Sequence, residues 1–370
     1  MKYQRMIMEA EAPDSLGPDY FRFNLAESSV RDRSLSELGI EFGDMTLPYG
    51  DHFGRPELRA LIADMSAENL DSEKVLITAG AAGALFFISS SLLEPGDHMV
   101  VGYPNYATNY ETPLAIGARV EHHEQTFERR FAIDVDAIES QVSDETRLLS
   151  LTCPHNPSGV MFSRQELDRL IDIAERRNCW LVIDETYMEM AYGESLPLAA
   201  SLSEKAISVS SMSKTWGVPG IRIGWLITQN QELMQRFISA KEQIGITGSV
   251  LDETVALQTL SQRKNLLPQI KEEINAGLLV TRKWVENEPV VEWVEPDGGV
   301  TCCLRLPSAS DQEMLLFYEI LKSRYKTAIG PGYWFKLPLN QMRIGFGYCR
   351  PEITALGLEC VSQAINEALN

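Results

Sequence analysis

The sequence lacks several features that would place it in a membrane or in an oxidising compartment. Its six cysteines are scattered, with no CxxC pair and no zinc-ligand spacing, which predicts free, mostly buried thiols. No apolar run is long enough to cross a bilayer, and the first residues do not follow the basic, apolar and small-residue succession of a signal peptide. We therefore expect a cytoplasmic protein that holds no metal.

Positive charge is also scarce. Lysine and arginine number 33 against 52 acidic residues, for a net charge of −19. This balance argues against a general nucleic-acid binder and against docking on anionic membranes. Since no long run of one sign is present, we interpret the acidic residues as a dispersed surface. Internal repeats and low-complexity tracts are absent from the sequence, and the composition leaves the nature of a small-molecule substrate open.

What is present indicates a large α/β protein. With 370 residues and 44% hydrophobic content, the chain can bury a substantial core, organised as one large and one smaller domain. A helix predicted over Arg164–Arg177 precedes the continuously apolar run Trp180–Ile183, which is typical of a strand buried in a parallel sheet. A second, short helix is predicted at Ser34–Leu38, from its serine cap and acidic first turn.

The most informative stretch runs from Ser208 to Trp225 and reads SVSSMSKTWGVPGIRIGW. Lys214 lies there after a predicted strand and before closely spaced glycines, which is a poor place for a solvated surface lysine. Burial penalises an ammonium group, so we expect a lowered pKa and a nucleophilic amine that forms a Schiff base with an aldehyde. The sequence therefore predicts covalent chemistry at Lys214.

Side chains near this lysine suit a phosphate group. Arg222 offers a bidentate guanidinium, and Ser211 and Ser213 offer neutral hydroxyl donors. A separate glycine- and alanine-rich turn, which contains Ala81 and Ala82, joins a predicted strand to a helix. Exposed amides at such a helix N-terminus also attract anions, although these two residues can contribute only their backbone.

Three motifs together resemble a known family. The pattern S-x-S-K-T-x-G-x-x-G-x-R-x-G-W around Lys214 resembles the lysine signature of the class I/II aminotransferases, the fold-type I enzymes that use pyridoxal 5′-phosphate (PLP). The turn from Asn156 to Gly159 is similar to the N-P-[TS]-G motif of that family, and Met342–Phe346 is similar to its R-I-x-F strand. The resemblance covers nearly the whole chain and implies a mainly parallel large domain plus a smaller α+β domain.

The resemblance implies a role for each matching residue. Asn156 and Tyr187 would bond the phenolic oxygen of PLP, and Asp184 would pair with its pyridine nitrogen and keep the ring an electron sink. Tyr106 would stack on the ring. Arg343 would bind the substrate α-carboxylate in a bidentate pair, with Asn156 beside it.

The resemblance also implies a homodimer with composite active sites. Tyr49 occupies the position of the family tyrosine that reaches across the interface to the neighbouring cofactor phosphate. The expected division is an arm over residues 1–44, a PLP-binding large domain over 45–260 and a small domain over 261–370. The small domain would take in both termini.

The implied reaction moves an amino group between an α-amino acid and a 2-keto acid through a Schiff base on Lys214, with Asp184 and Tyr187 assisting. Relatives with the same site perform elimination, cyclisation or oxidation, so a lyase, cyclase or oxidase of secondary metabolism stays open. A non-catalytic PLP-binding sensor is disfavoured, because such regulators carry a DNA-binding domain ahead of the arm.

Substrate identity is not fixed by any motif. We expect the substrate side chain to be read by the arm over Asn24–Ser29, by loops of the partner chain and by residues near Tyr106. No specific second arginine announces a dicarboxylic substrate. His155 is an acid-base candidate, but a structural role is the stronger interpretation, since Lys214 already supplies proton transfer.

Overall fold

The computed structural model describes residues 2–17 and 19–369 and shows an α/β architecture. The helices are α1 (Ile7–Glu11), α2 (Pro13–Leu16), α3 (Pro56–Ser66), α4 (Gly80–Leu92), α5 (Thr108–Ile116), α6 (Val135–Gln141), α7 (Arg164–Arg177), α8 (Ala199–Leu202), α9 (Gln231–Gly245), α10 (Val250–Ser261), α11 (Arg263–Glu286), α12 (Asp311–Ser323) and α13 (Pro351–Leu369). The strands are β1 (Phe23–Asn24), β2 (Val75–Ala79), β3 (His98–Tyr103), β4 (Arg119–Glu124), β5 (Thr146–Thr152), β6 (Trp180–Asp184), β7 (Ala206–Ser211), β8 (Ile223–Ile227), β9 (Glu292–Val294), β10 (Thr301–Arg305), β11 (Thr327–Ala328), β12 (Gly330–Pro331) and β13 (Gln341–Gly345).

A seven-stranded sheet forms the larger part of the molecule, in the order β2-β8-β7-β6-β5-β3-β4. The five strands from β7 to β4 run parallel, whereas β8 lies antiparallel to both β7 and β2. Leu181, Val182 and Ile183 of β6 are all buried, as expected for a central strand covered on both faces. The predicted mainly parallel α/β fold is confirmed.

A second sheet forms beside the first, with the antiparallel order β12-β13-β10-β9. Helices α11, α12 and α13 pack around it and bury Ile270, Phe317 and Leu358. The short strand β1 pairs in parallel with β11, which brings the N-terminal segment to this part of the molecule. The division at residues 44 and 260 remains a prediction.

Within the N-terminal arm predicted over residues 1–44, the segment from Leu25 to Arg33 connects the two sheets. From here on, the arm means this segment alone. At its start the Gly345 amide donates to the Leu25 carbonyl at 2.7 Å, and further along the Val30 amide donates to the Lys214 carbonyl at 3.1 Å. Gly345 is needed for this approach, because a Cβ at that position would lie 1.9 Å from the Glu27 carbonyl oxygen. Backbone contacts therefore hold the arm against the loop that carries Lys214.

Two predicted helices have different outcomes. Helix α7 has the predicted bounds, and a capping box between Ser163 and Glu166 fixes its start. The helix predicted at Ser34–Leu38 is wrong, because this segment forms only a turn. There the Glu37 carboxylate accepts from the Ser34 amide and from Arg31, both at 2.8 Å, and one hydrogen-bonded turn is too short to propagate.

None of the helices in residues 2–17 and 19–369 has both the length and the apolar character that spanning a bilayer would require.

Candidate functional site

The predicted site residues meet at the carboxyl edge of the large sheet. Tyr106 follows β3, Asn156 follows β5, Asp184 ends β6 and Lys214 follows β7. The carboxyl ends of parallel strands form the ligand-binding crevice of open α/β sheets. The strand order therefore explains how residues far apart in sequence come together.

The amine of Lys214 lies against the arm. Its Nζ donates to Glu27 Oε1 at 3.2 Å and to Ser28 Oγ at 3.1 Å. Burial alone lowers the pKa of Lys214, but the charge of Glu27 and the neighbouring Tyr187 outweigh it, so the pKa lies above its ordinary value. The lowered pKa expected from the sequence is therefore wrong for the free amine, because the sequence did not reveal the carboxylate beside it.

Glu27 itself is a charged residue in a mostly enclosed place. Its Oε1 also accepts from the Ser28 amide at 2.8 Å. Burial raises the pKa of Glu27, but the charges of Lys214 and Arg343, together with the Ser28 amide, bring it below its ordinary value. Glu27 is thus a carboxylate near neutral pH and lies close to two cations of the site.

Arg343 is buried on β13 and opens toward Asn156. Its Nη1 donates to Asn156 Oδ1 at 2.9 Å and its Nη2 donates to the Ala26 carbonyl at 2.6 Å, while the ring of Phe335 lies 4.8 Å from its guanidinium carbon. Within the described ranges Nε is buried without a hydrogen-bond partner. A fixed guanidinium with spare donor capacity is suited to a carboxylate ligand.

Asp184 is a buried carboxyl group at the end of β6. Its Oδ1 accepts from the Thr186 hydroxyl at 2.6 Å and from the Thr186 amide at 3.1 Å. Burial raises the pKa of Asp184, and the Thr186 bonds and the Lys214 charge oppose that rise. Tyr187, three residues further on, is buried and close enough for its hydroxyl to act on the charge of Lys214. A buried acid of this kind is a ready partner for a cationic ring nitrogen.

The predicted phosphate-binding residues also converge. Gly80 begins α4 with a φ of +72°, and a Cβ there would lie 2.6 Å from Arg222 Nη2. Arg222 Nη1 donates to Ser213 Oγ at 3.4 Å, and the Ser213 amide donates to Ser211 Oγ at 3.4 Å. Ala81 follows in the first turn of α4, so a guanidinium, two hydroxyls and free helix amides share one cradle.

Three further residues were predicted to bind the cofactor, namely Ala82, Tyr106 and Tyr49. Ala82 is half-buried in the first turn of α4. Tyr106 packs in the same hydrophobic cluster as Ala81, and burial raises the pKa of its hydroxyl while the charges of Lys214 and Arg222 oppose this. Tyr49 is 83% exposed on the segment before α3. The structure thus brings Tyr106 to the site, whereas Tyr49 projects into solvent from a single chain.

His155 has a structural environment. The imidazole is buried, with Nε2 2.7 Å from the Pro104 carbonyl oxygen and Nδ1 2.7 Å from Ser158 Oγ. A carbonyl only accepts, so Nε2 carries the proton and Nδ1 accepts from the serine. Burial lowers the pKa of His155 to about 4. Its hydrogen bonds and neutral state support the structural interpretation.

The sequence predicted that the arm reads a side chain, but it did not single out the residue of the arm that contacts Lys214. Glu27 and Ser28 fall within the stretch expected to read a side chain, yet nothing in the sequence shows that they contact Lys214. The contact depends on the pairing of β1 with β11 and on the close approach at Gly345. Phe335, which faces Arg343, gave no sequence signal at all.

The donor set fits PLP. The cradle at Gly80 and Arg222 is shaped by the absence of a Cβ and offers several donors to a phosphate dianion. Asp184 is a buried acid for the pyridine nitrogen, and Lys214 is an amine for the aldehyde. These residues would hold the phosphate, the ring nitrogen and the aldehyde carbon, respectively.

Comparisons with known proteins give a consistent result. The family model described as aminotransferase class I and II matches residues 30–355. Capreomycidine synthase of Streptomyces vinaceus is 27% identical, over 96% of this chain and 93% of that protein.

Two solved structures superpose on nearly the whole chain. A PLP-dependent aminotransferase from Streptococcus suis has a TM-score of 0.91 and 26% identity, with 99% of each chain covered. The PLP-dependent cyclase OrfR has a TM-score of 0.89 and 27% identity, with 99% of this chain and 98% of that one covered.

Proposed function

Because the chain belongs to the aminotransferase class I and II family, whose cofactor is PLP, we propose that it transfers an amino group between an α-amino acid and a 2-keto acid. The observation that carries the proposal is the placing of the Lys214 amine, the buried Asp184 and the Arg343 guanidinium in one site. Together they supply a base, a partner for the cofactor ring and a carboxylate anchor.

Bound PLP supplies an electron sink for the electron pair that remains when a bond to the substrate α-carbon breaks. Arg343 binds the substrate carboxylate with the donors left after its bonds to Asn156 and Ala26. Lys214 Nζ removes the proton from Cα, which requires its neutral form. Asn156 and Tyr187 would bond the phenolic oxygen of the cofactor, while Ser211, Ser213, Arg222 and the amides of Ala81 and Ala82 would hold its phosphate.

A cyclase or lyase is the second candidate. Capreomycidine synthase and the cyclase OrfR match over almost the entire chain, and so does an aminotransferase. Each of these reactions can begin with proton removal from Cα, so Lys214, Asp184 and Arg343 serve either outcome. The groups that face the rest of the substrate decide between them, and one charged group, Glu27, lies 3.2 Å from the base.

A homodimer is part of the proposal. Leu47, Tyr49, Ile244, Ile246 and Leu251 are exposed by between 39% and 83% on two adjoining segments. A hydrogen bond between His52 and Glu242 joins these segments. Neighbouring exposed apolar side chains of this size are typical of a protein interface. A second copy would cover them and would bring Tyr49 toward the partner's cofactor phosphate.

The test is a half-reaction with single amino acids and no keto acid. Transamination predicts that bound PLP becomes pyridoxamine 5′-phosphate and that a stoichiometric 2-keto acid appears, both measured by chromatography with mass detection. Lys214→Ala should abolish the conversion, whereas the control Lys205→Ala should leave it intact, because Lys205 bonds Asn178 at the far end of β7. A product that forms while the cofactor stays as PLP would favour the cyclase or lyase.

A further inference from the structure

The arm places a carboxylate beside Lys214 and next to the residue that bonds Arg343. In the proposed reaction Arg343 binds the carboxylate of the α-amino acid, its amino group is directed at the cofactor, and its α-proton is directed at Lys214. The side chain is therefore the one substituent of Cα left to face the arm. Glu27 Oε1 is 3.2 Å from Lys214 Nζ, and the adjacent Ala26 carbonyl bonds Arg343. Glu27 therefore neighbours both anchoring points of the substrate.

The negative charge of Glu27 opposes the function of Lys214 as a base unless a cation balances that charge. An anion beside an amine favours the protonated amine, which cannot accept a proton. In the state that removes the α-proton, Lys214 is neutral and no longer offers Glu27 a positive charge. Arg343, the second cation near Glu27, is then balanced by the substrate carboxylate. Glu27 is left as a mostly enclosed carboxylate with no unbalanced cation beside it, which is unfavourable.

A cation on the substrate resolves the conflict. An ammonium or guanidinium group in place of the lysine charge would pair with Glu27, and Ser28 Oγ lies next to it as a further polar contact. The substrate would then both satisfy the carboxylate and weaken its hold on the proton of Lys214.

We propose that Glu27 is a specificity-determining residue that selects an amino acid with a cationic side chain. The proposal rests on the proposed function only in that Arg343 and Lys214 orient an α-amino acid. It does not depend on whether transamination or cyclisation follows, since Glu27 acts on binding.

The test measures binding without turnover. α-Methyl amino acids have no α-proton, so calorimetry on the PLP-loaded protein can compare α-methylornithine with its uncharged analogue α-methylnorvaline. Loss of one hydrogen bond to a charged partner corresponds to about a 10-fold to 100-fold change in affinity. We expect the cationic ligand to bind tighter by this factor in the wild type. The factor should fall to about one in Glu27→Gln, which keeps the shape of the side chain.

The control is Glu41→Gln, which removes the same charge from an exposed position after the arm. It should keep the wild-type preference, and melting curves would verify that both variants fold. Equal binding of the two ligands by the wild type would overturn the proposal. So would a preference that survives in Glu27→Gln. The half-reaction reports on the proposed function separately, because binding selectivity needs no conversion of PLP.

Discussion

Gly80→Ala is the change that most directly tests the phosphate cradle. Gly80 has a φ of +72°, and an alanine in the left-handed region costs roughly 1–2 kcal/mol of folding free energy. The added Cβ would lie 2.6 Å from Arg222 Nη2. The guanidinium would therefore have to retreat by roughly 1 Å to reach an ordinary contact distance. If Arg222 holds the phosphate, that retreat weakens a hydrogen bond between charged groups.

The expected result has two parts. The free energy of unfolding of the protein without cofactor should fall by about 1–2 kcal/mol, from backbone strain. The dissociation constant of PLP should rise by about 10-fold to 100-fold, from the displaced guanidinium. Denaturant titration measures the first quantity, and a PLP titration followed by cofactor absorbance measures the second.

Gly220→Ala is the matched control. Gly220 lies in the same turn as Arg222, is exposed, and has no atom within 4 Å of the position where a Cβ would stand. Both quantities should therefore stay near their wild-type values. If Gly80→Ala bound PLP as tightly as the wild type, Arg222 would not be holding the phosphate. An equal loss of affinity in the two alanine variants would also contradict this role of Arg222.

Three further predictions concern single side chains. Burial raises the pKa of Glu185 to about 8, so the folded state keeps a proton that the unfolded chain releases near pH 4.5. The free energy of unfolding should then fall as the pH rises between these two values. Glu185→Gln should flatten the dependence of the melting temperature on pH, and an unchanged dependence would contradict the prediction. Arg343→Lys should raise the KM for the amino acid about 10-fold to 100-fold in steady-state assays, because lysine lacks the planar fork, while PLP titration shows unaltered affinity. A proportional loss of PLP binding would argue against a carboxylate role. Finally, His155→Gln should keep the shape of the pH–rate profile near neutrality, because burial lowers the pKa of His155 to about 4, and a lost limb would restore it as an acid-base candidate.

The residues found from sequence are those whose position depends on local order along parallel strands. Asp184 ends a strand and Asn156 and Lys214 each follow one, and strand ends in a parallel sheet meet at one edge. The resemblance to the family motifs grouped these residues, and the strand ends explain why the fold brings them together. Their roles toward PLP are predictions, and Lys214→Ala in the half-reaction tests the one assigned to the lysine.

The remaining features depend on contacts between distant segments. Glu27 is the main reason that the pKa of Lys214 is raised and not lowered. The short distance between Glu27 and Lys214 follows from the pairing of the arm with β11 and β13. No pattern within the arm encodes that pairing. The turn at Ser34 failed as a helix for a related reason, since the capping signal was present but too few residues followed it.

The arm has a consequence for how this protein can change. The groups proposed to carry the reaction lie at the edge of the large sheet and on β13. Glu27 lies on the arm, which is held mainly by backbone hydrogen bonds. If Glu27 selects the substrate as proposed, side-chain replacements on the arm would change the preferred substrate and leave the sheet unchanged. Gly345 cannot be replaced in the same way, because any larger residue there would push the arm away from Lys214. Under the same proposal, grafting residues 24–31 from a relative should transfer that relative's side-chain preference.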